Sequence, residues 1–220
     1  TSKAHNYALT NGYTKKMILL PFSLYKGETL IRANDSQVKF LVTGSINTRS
    51  RDHLGLLAAF EAVWKTGRKD ISLTILASTK SKHGQVVLKY MKKLKDQGYD
   101  INYFKDYIPE EVYLQHAESA DMYISPLNTS YYSCGELTSG TVEAIRQGKP
   151  GIYPSGYLPD PKLESSSLLY DKIEDLPQLI VSLAEKRELL NQLSLNAVKY
   201  ADQYSMESTS VYFKEQLELL

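Results

Sequence analysis

A polar, glycine-containing loop that leads into a short helix is the stretch of this sequence best suited to chemistry. Thr138, Ser139 and Gly140 can each cap a helix that begins near Thr141 and ends at Gly148. Free backbone N–H groups and the positive end of the helix dipole meet at such a start, and Gly140 has no Cβ to obstruct a phosphate there. An ordinary helix cap is the alternative interpretation.

Charged side chains before and inside this helix could complete a phosphate and ribose site. Arg49 and Arg51 follow an apolar run, and two guanidinium groups projecting toward Ser139 would suit a diphosphate. A solvated basic loop is the alternative. Glu143 lies in the first turn, where the dipole favours its charge, and its carboxylate could accept from two adjacent ribose hydroxyls. Glu136 is either a ligand contact or an exposed acid.

The elements that must position these residues alternate between strands and helices. Buried strands are predicted at residues 38–46, 71–77, 101–108, 121–127, 151–154 and 168–173. Helices are predicted at residues 54–67 with Asp52 as the cap, at 84–98, and at 110–120 with Pro109 in the first turn. Helices also follow residue 175, and Ser205 caps the last of them.

This alternation predicts an α/β fold: a Rossmann-like open parallel sheet of about six strands with helices on both faces, plus C-terminal helices. Residues 1–36 are interpreted as a linker or the remnant of a preceding domain, residues 37–204 as the Rossmann-like domain and residues 205–220 as a C-terminal helix. Ligands of such sheets bind beyond the carboxyl ends of the strands, where the strand order switches. The expected binding segments are therefore the loops 44–52, 77–83, 107–111 and 125–138 and the helix start at Ser139.

Composition limits the function. The 220 residues are 42% hydrophobic and 23% charged with a formal net charge of +1, so no global field is available to hold nucleic acid. No apolar run approaches the roughly 20 residues of a transmembrane helix. The single cysteine, Cys134, excludes an internal disulfide and suits a reducing, cytoplasmic location. The chain begins at Thr1 without Met, which suggests a processed chain or a fragment.

Several cofactor and catalytic motifs are absent from the sequence. The four histidines are scattered without the spacing of a metal site or a dyad. Neither the glycine-rich fingerprint of NAD-binding domains nor a P-loop occurs, and Ser139 lacks the frame of a nucleophile elbow. We therefore expect no cofactor and no metal.

Four segments resemble the donor-binding domain of GT-B glycosyltransferases of the group 1 type. GTVEAIRQGKP resembles that family's Glu-containing helix with its GKP ending, and TGSINTRSRDHLGLLAAF resembles the first strand, phosphate loop and helix. ADMYISPL resembles a strand that ends in a Pro-bearing loop, and MILLPFS the strand that arrives from the acceptor-binding half. The resemblance covers roughly residues 17–160.

The resemblance implies roles for individual residues. Glu143 would bind the ribose of a nucleotide-sugar, and Arg51, at the family's usual lysine position, would neutralise the diphosphate. Ser139 and Gly140 would donate backbone N–H groups to the same diphosphate. The resemblance thus implies a nucleotide-diphosphate sugar as substrate.

The resemblance also implies a missing partner domain. The loop at Tyr107 and Ile108 would hold the base, but two Rossmann-like domains enclose the active site in this fold and 220 residues provide one. We expect an N-terminal acceptor-binding domain to be absent. The final helix, after Ser205, would then expose apolar residues such as Val211 and Phe213.

The sequence departs from the family pattern at two positions. The family often carries a glutamate eight residues before the one equivalent to Glu143, and here that position is Gly135, with Glu136 one place off. The family arginine beside the glycine after the first strand is Ser45 here, so Arg49 would have to substitute. These departures weaken the case for contacts to the donor sugar and for turnover more than the case for nucleotide binding.

The leading hypothesis is the donor-binding half of a glycosyltransferase in polysaccharide or glycoconjugate synthesis. Two alternatives stay open: a non-catalytic nucleotide-binding or scaffold domain of the same fold, and a sugar-nucleotide epimerase. A cytoplasmic location is expected, with peripheral membrane attachment through the absent domain as an open variant.

Overall fold

A computed structural model describes residues 2–13, 25, 27, 36–132 and 136–218. Six strands form one sheet in the order β3-β2-β1-β4-β5-β6, and every neighbouring pair is parallel. The predicted α/β class and strand number are confirmed. The strands are β1 (Val38–Thr43), β2 (Ile71–Leu76), β3 (Ile101–Tyr103), β4 (Met122–Ile124), β5 (Gly151–Pro154) and β6 (Ser167–Tyr170).

Helices cover both faces of the sheet. Phe40 and Val42 of β1 belong to the larger core cluster, whereas Leu41 between them belongs to the smaller cluster on the opposite face, because successive strand residues point to opposite sides. The helices are α1 (Ser2–Thr10), α2 (His53–Lys65), α3 (Lys82–Asp96), α4 (Glu110–Ser119), α5 (Ser139–Arg146), α6 (Leu176–Glu185), α7 (Arg187–Ala201) and α8 (Met206–Glu218).

Side-chain caps fix the starts of several helices. Asp52 accepts from the N–H of Gly55 at the start of α2, as predicted, and Ser205 accepts from the N–H of Ser208 in α8. In α5 the prediction was two residues late: Thr138 is the cap and Ser139 is already helical. The hydroxyl of Thr138 accepts from the N–H of Thr141, which was the expected first residue.

Several strands end earlier than predicted, and two of the boundary differences flank the loop after β3. The strand expected over residues 101–108 ends at Tyr103, because the chain turns away as a loop before α4. Pro109 occupies the cap position immediately before α4 and not its first turn. Both differences lengthen the loop after β3, which lies at the carboxyl edge of the sheet.

The ends of the chain show one unpredicted element and one confirmed feature. Nothing in the sequence pattern indicated α1, and the strand-like segment MILLPFS lies outside the described residues. The N–H of Tyr25 donates to the carbonyl of Tyr204, which ties this point to the start of α8. Val211 and Phe213 of α8 are exposed, as expected. Within the described segments, none of the helices combines the length and apolar character of a membrane span.

Candidate functional site

The loop after β1 meets the start of α5 at Gly44. Gly44 has a φ of +96°, and a Cβ placed on it would lie 2.8 Å from Oγ of Ser139 and 3.4 Å from Nη2 of Arg51. Only glycine permits this backbone and this close approach. The strand order reverses between β1 and β4, so Gly44, Ser139 and Arg51 meet at the switch point of the sheet.

Arg51 is a buried cation without an acidic partner among the described residues. Its side chain is 8% exposed, and Nη1 donates to the carbonyl and to Oγ of Ser45, at 3.0 and 2.9 Å. Among the residues that the structure describes, no carboxylate forms an ion pair with it. A buried charge normally has a counter-ion, so this guanidinium suits a bound anion.

The backbone around Arg51 is held firmly in place. Arg51 forms an isolated bridge with Leu127, and the N–H of Asp52 donates to the carbonyl of Pro126 at 2.7 Å. These contacts join the loop after β1 to the loop after β4. The backbone that carries the Arg51 guanidinium is therefore already fixed before a ligand binds.

The first turn of α5 presents unused donors to the same space. The N–H groups of Ser139 and Gly140 make no hydrogen bond to any other described residue. A Cβ on Gly140 would lie 3.2 Å from Oγ1 of Thr43 and 3.3 Å from Oγ of Ser125, so glycine lets this turn pack closely on β1 and β4. Two free N–H groups at the positive end of a helix can bind a phosphate oxygen.

Thr138 stabilises the start of α5 through its own hydrogen bonds. Its Oγ1 caps α5, and its N–H donates to the hydroxyl of Tyr157 at 3.0 Å. Tyr157 is fully buried and also shares a hydrogen bond of 2.9 Å with Oγ1 of Thr141. Sequence reasoning missed Tyr157, since one of seventeen tyrosines carries no signal that singles it out.

Glu143 lies one helical turn beyond the free donors. It is 9% exposed, and its Oε1 accepts from Nε2 of Gln147 at 2.9 Å. Burial and, second, the charge of Glu143 raise the pKa of Tyr113 to about 12. Glu143 therefore faces the α4 side of the crevice, and its second carboxylate oxygen remains to accept from a ligand hydroxyl.

The residues expected to hold a base lie in the loop before α4. Ile108 is partly buried and packs against a cluster that includes Ala117 of α4 and Ala144 of α5. Tyr107 is 82% exposed. The structure thus brings Ile108 and Glu143 to the same side of α5 and leaves Tyr107 in solvent.

The two arginines of the loop do not share one position. Arg51 lies against Gly44 and Ser139, whereas Arg49 is exposed and lines a neighbouring cavity of about 430 Å³. Both arginines were expected to point to the start of α5; Arg51 does so, and Arg49 does not. Glu136 is exposed, two residues before the cap, and Cys134 and Gly135 lie outside the described residues.

Two buried polar side chains at this end of the sheet lack partners in the described chain. They are Thr43, through Oγ1, and His53, through both ring nitrogens. The neighbouring Thr43 side chain counteracts the rise in the pKa of Tyr113, but Oγ1 of Thr43 is not in hydrogen-bond geometry with any described group. Burial, and then the charge of Arg51, lowers the pKa of His53 to about 4.

The titratable groups do not assemble a metal site in the described residues. No group of three His, Cys, Asp or Glu side chains that could hold a metal ion occurs there. Nδ1 of His83 contacts Oγ1 of Thr48 and so joins α3 to the loop after β1. His83 therefore supports this loop.

Comparison with solved structures identifies the fold. Sucrose-phosphate synthase from Thermosynechococcus elongatus superposes with a TM-score of 0.69 at 13% identity, over 98% of this chain and 56% of that one. The Anabaena protein HepE in complex with UDP gives 0.64 at 12% identity, over 100% and 53%. The C-terminal domain of a group 1 glycosyltransferase from Francisella tularensis gives 0.58 at 11% identity, over 77% and 87%.

These matches show a shared fold: the chain superposes on the C-terminal domain of a group 1 family glycosyltransferase and on part of each of the two longer proteins. The chain spans only 56% and 53% of the first two proteins, but it covers 87% of the isolated C-terminal domain. No protein-family model matches the sequence, and no curated protein matches it in a sequence search.

Proposed function

We propose that this chain is the donor-binding half of a glycosyltransferase, which transfers a sugar from a nucleotide-diphosphate sugar to an acceptor. The observation that carries the proposal is Arg51, a buried guanidinium without an acidic partner in the described chain, beside the free N–H groups at the start of α5. A diphosphate would supply the missing negative charge. HepE, which shares this fold, forms a complex with UDP, and this supports the same ligand class here.

The ligand would extend from the diphosphate toward α4. Arg51 and the N–H groups of Ser139 and Gly140 would bind the diphosphate, Glu143 would accept from the ribose hydroxyls, and the loop at Ile108 would hold the base. This order follows the positions of these residues around the start of α5. Tyr107, because it is exposed, would contact the base only from its outer side.

The chemical contribution of this half would be electrostatic. As the bond between sugar and diphosphate breaks, negative charge grows on the departing diphosphate. Arg51 and the α5 N–H groups are already oriented, so they stabilise that charge with little reorganisation. The same groups hold the donor in place before reaction.

The acceptor would bind to a second domain outside this chain. The chain covers about half of each of two longer structural neighbours, and α8 exposes Val211 and Phe213. We include in the proposal an N-terminal acceptor-binding domain, a role in polysaccharide or glycoconjugate synthesis, and a cytoplasmic location.

A non-catalytic nucleotide-binding or scaffold domain is the second candidate. The specific observation in its favour is Gly135, where the resembling family often has a glutamate. Such a domain would bind a nucleotide but would not turn over a donor when joined to an acceptor-binding domain.

A thermal-shift panel tests the proposal. UDP-, GDP-, ADP- and CMP-sugars are added to the chain at millimolar concentration, and the free sugars are measured in parallel so that any shift they cause alone is subtracted. One nucleotide class should raise the melting temperature, because a ligand that binds only the folded state stabilises it. If no nucleotide-sugar raises it, the donor-binding proposal is wrong.

A further inference from the structure

We propose that the cavity lined by Arg49 is a second binding site, which takes a neutral sugar unit separate from the nucleotide. The cavity lies between the loop after β1 and the loops after β4, β5 and β6. Its volume of about 430 Å³ falls within the roughly 300–1,000 Å³ of small-molecule sites. This inference goes beyond the proposed nucleotide site and rests on different residues.

The charge of the lining distinguishes this cavity from the crevice at Arg51. Asp52 and Asp171 contribute two carboxylates, and Arg49 contributes one guanidinium. The lining therefore carries a net charge of about −1 at neutral pH, which disfavours a phosphate. A neutral ligand suits it better.

The functional groups suit a polyhydroxylated ligand. Oδ1 of Asp171 accepts from Oγ of Ser155 at 2.6 Å, which leaves Oδ2 for a ligand hydroxyl. Arg49 offers several N–H donors, and neither a carboxylate nor another acceptor in the described chain engages its guanidinium. Leu127 and Pro154 add apolar surface on which the C–H face of a sugar ring can pack.

Hydrogen bonds between separate segments preform the cavity. The N–H of Asn128 donates to the carbonyl of Ser50, and its side-chain amide donates to the carbonyl of Arg49. The N–H of Ser155 donates to the carbonyl of Tyr170. Walls joined in this way need little ordering when a ligand binds, which favours affinity.

The cavity and the crevice share one loop. Arg49 lines the cavity, and Arg51, two residues later, lies against Ser139. A sugar in the cavity would therefore lie beside the proposed nucleotide site without occupying it. Under the proposed function, this sugar would be a distal unit of an acceptor chain whose reacting end lies on the second domain.

Titration of the chain with neutral sugars, followed by protein NMR, tests this inference. The probes are glucose, galactose, mannose and sucrose, with glucose 6-phosphate as a charged analogue of glucose. We expect saturable binding of at least one neutral sugar and weaker binding of the phosphorylated one. Asp171→Ala should weaken the binding about tenfold, as expected for the loss of one charged hydrogen bond.

A second variant fills the cavity without removing a charge. A Cβ on Gly156 would make an ordinary contact of 3.4 Å with Cγ2 of Thr129, another lining residue, so the side chain of Gly156→Leu would begin in the wall of the cavity. This variant should also weaken sugar binding by about tenfold or more. Asp96→Ala, which removes an exposed acid at the end of α3, is the matched control and should leave it unchanged.

Two outcomes would overturn the inference. One is no saturable binding of any neutral sugar, and the other is binding that both cavity variants leave unchanged. Arg51→Ala separates this inference from the proposed function, because it should impair nucleotide binding and spare sugar binding. If the wild-type chain bound no nucleotide, the proposed function would be wrong, and the sugar titration would still test this inference.

Discussion

Two arginines at opposite ends of the central sheet, Arg68 and Arg51, have opposite surroundings. At the amino end, the guanidinium of Arg68 forms a two-pronged ion pair with Asp70 and donates to Glu185 at 2.7 Å. At the carboxyl end, Arg51 is more buried than Arg68, yet no described carboxylate pairs with it. Oγ1 of Thr43 at this end also lacks a described partner.

The paired and the unpaired groups contribute to different properties, the first to stability and the second to ligand binding. Paired charges at the amino end join β2 to α6 and so contribute to the folded state. Unpaired polar groups at the carboxyl end cost stability unless a ligand meets them, and such costs are typical of functional sites. Variants at the two ends should therefore change different measurements.

The largest expected effect is acid sensitivity through His53. The unfolded chain protonates this histidine below its ordinary pKa of 6.5, whereas the folded chain keeps it neutral down to about 4. Stability should therefore be full above pH 6.5 and fall as pH decreases toward 4. The loss from this group should approach about 3 kcal/mol.

Denaturant unfolding of the wild type and of His53→Leu at several pH values measures this loss. The variant should lose less stability over the acid range, and the difference between the two proteins reports His53 alone. Equal pH dependence in both would contradict the burial of a neutral imidazole at the start of α2.

Arg51→Ala should weaken binding of the selected nucleoside diphosphate by about 1–3 kcal/mol, because it removes a charged donor. The free energy of unfolding without ligand should change by no more than about 1 kcal/mol, because the loss of two hydrogen bonds to Ser45 is offset by the removal of a buried charge that has no counter-ion among the described residues. Calorimetry and denaturant unfolding measure the two quantities. A large loss of stability with unchanged affinity would make Arg51 a structural residue.

Thr43→Val should stabilise the free protein by about 1 kcal/mol, because a methyl group replaces a buried hydroxyl without a described partner. Thr141→Val is the matched comparison, since its hydroxyl is hydrogen bonded to Tyr157 and to Thr138. That variant should be less stable by a similar amount. Thermal unfolding would contradict the assignment if both variants shifted the melting temperature in the same direction.

Arg68→Ala should have the smallest effect, a loss of stability of up to about 1 kcal/mol, because its partner Glu185 is largely exposed. Its nucleotide affinity should equal that of the wild type. Reduced affinity in this variant would show that the two ends of the sheet are coupled.

The sequence was sufficient for the sheet but not for the site. Apolar runs and capping residues such as Asp52 predicted the strand and helix order, because these signals are local. The residues alone did not distinguish Arg49 from Arg51, although the family resemblance assigned the diphosphate to Arg51, because the choice depends on the bridge to Leu127 and on the left-handed backbone of Gly44. These contacts exist only after distant loops meet.

The most direct test of the central claim compares a nucleoside, its monophosphate and its diphosphate, chosen from the base that stabilises the chain, by calorimetric titration. The diphosphate should bind at least about tenfold more tightly than the monophosphate, and Arg51→Ala should remove most of this difference. Equal affinity for monophosphate and diphosphate, or a difference that persists unchanged in Arg51→Ala, would contradict a diphosphate site at Arg51 and the start of α5.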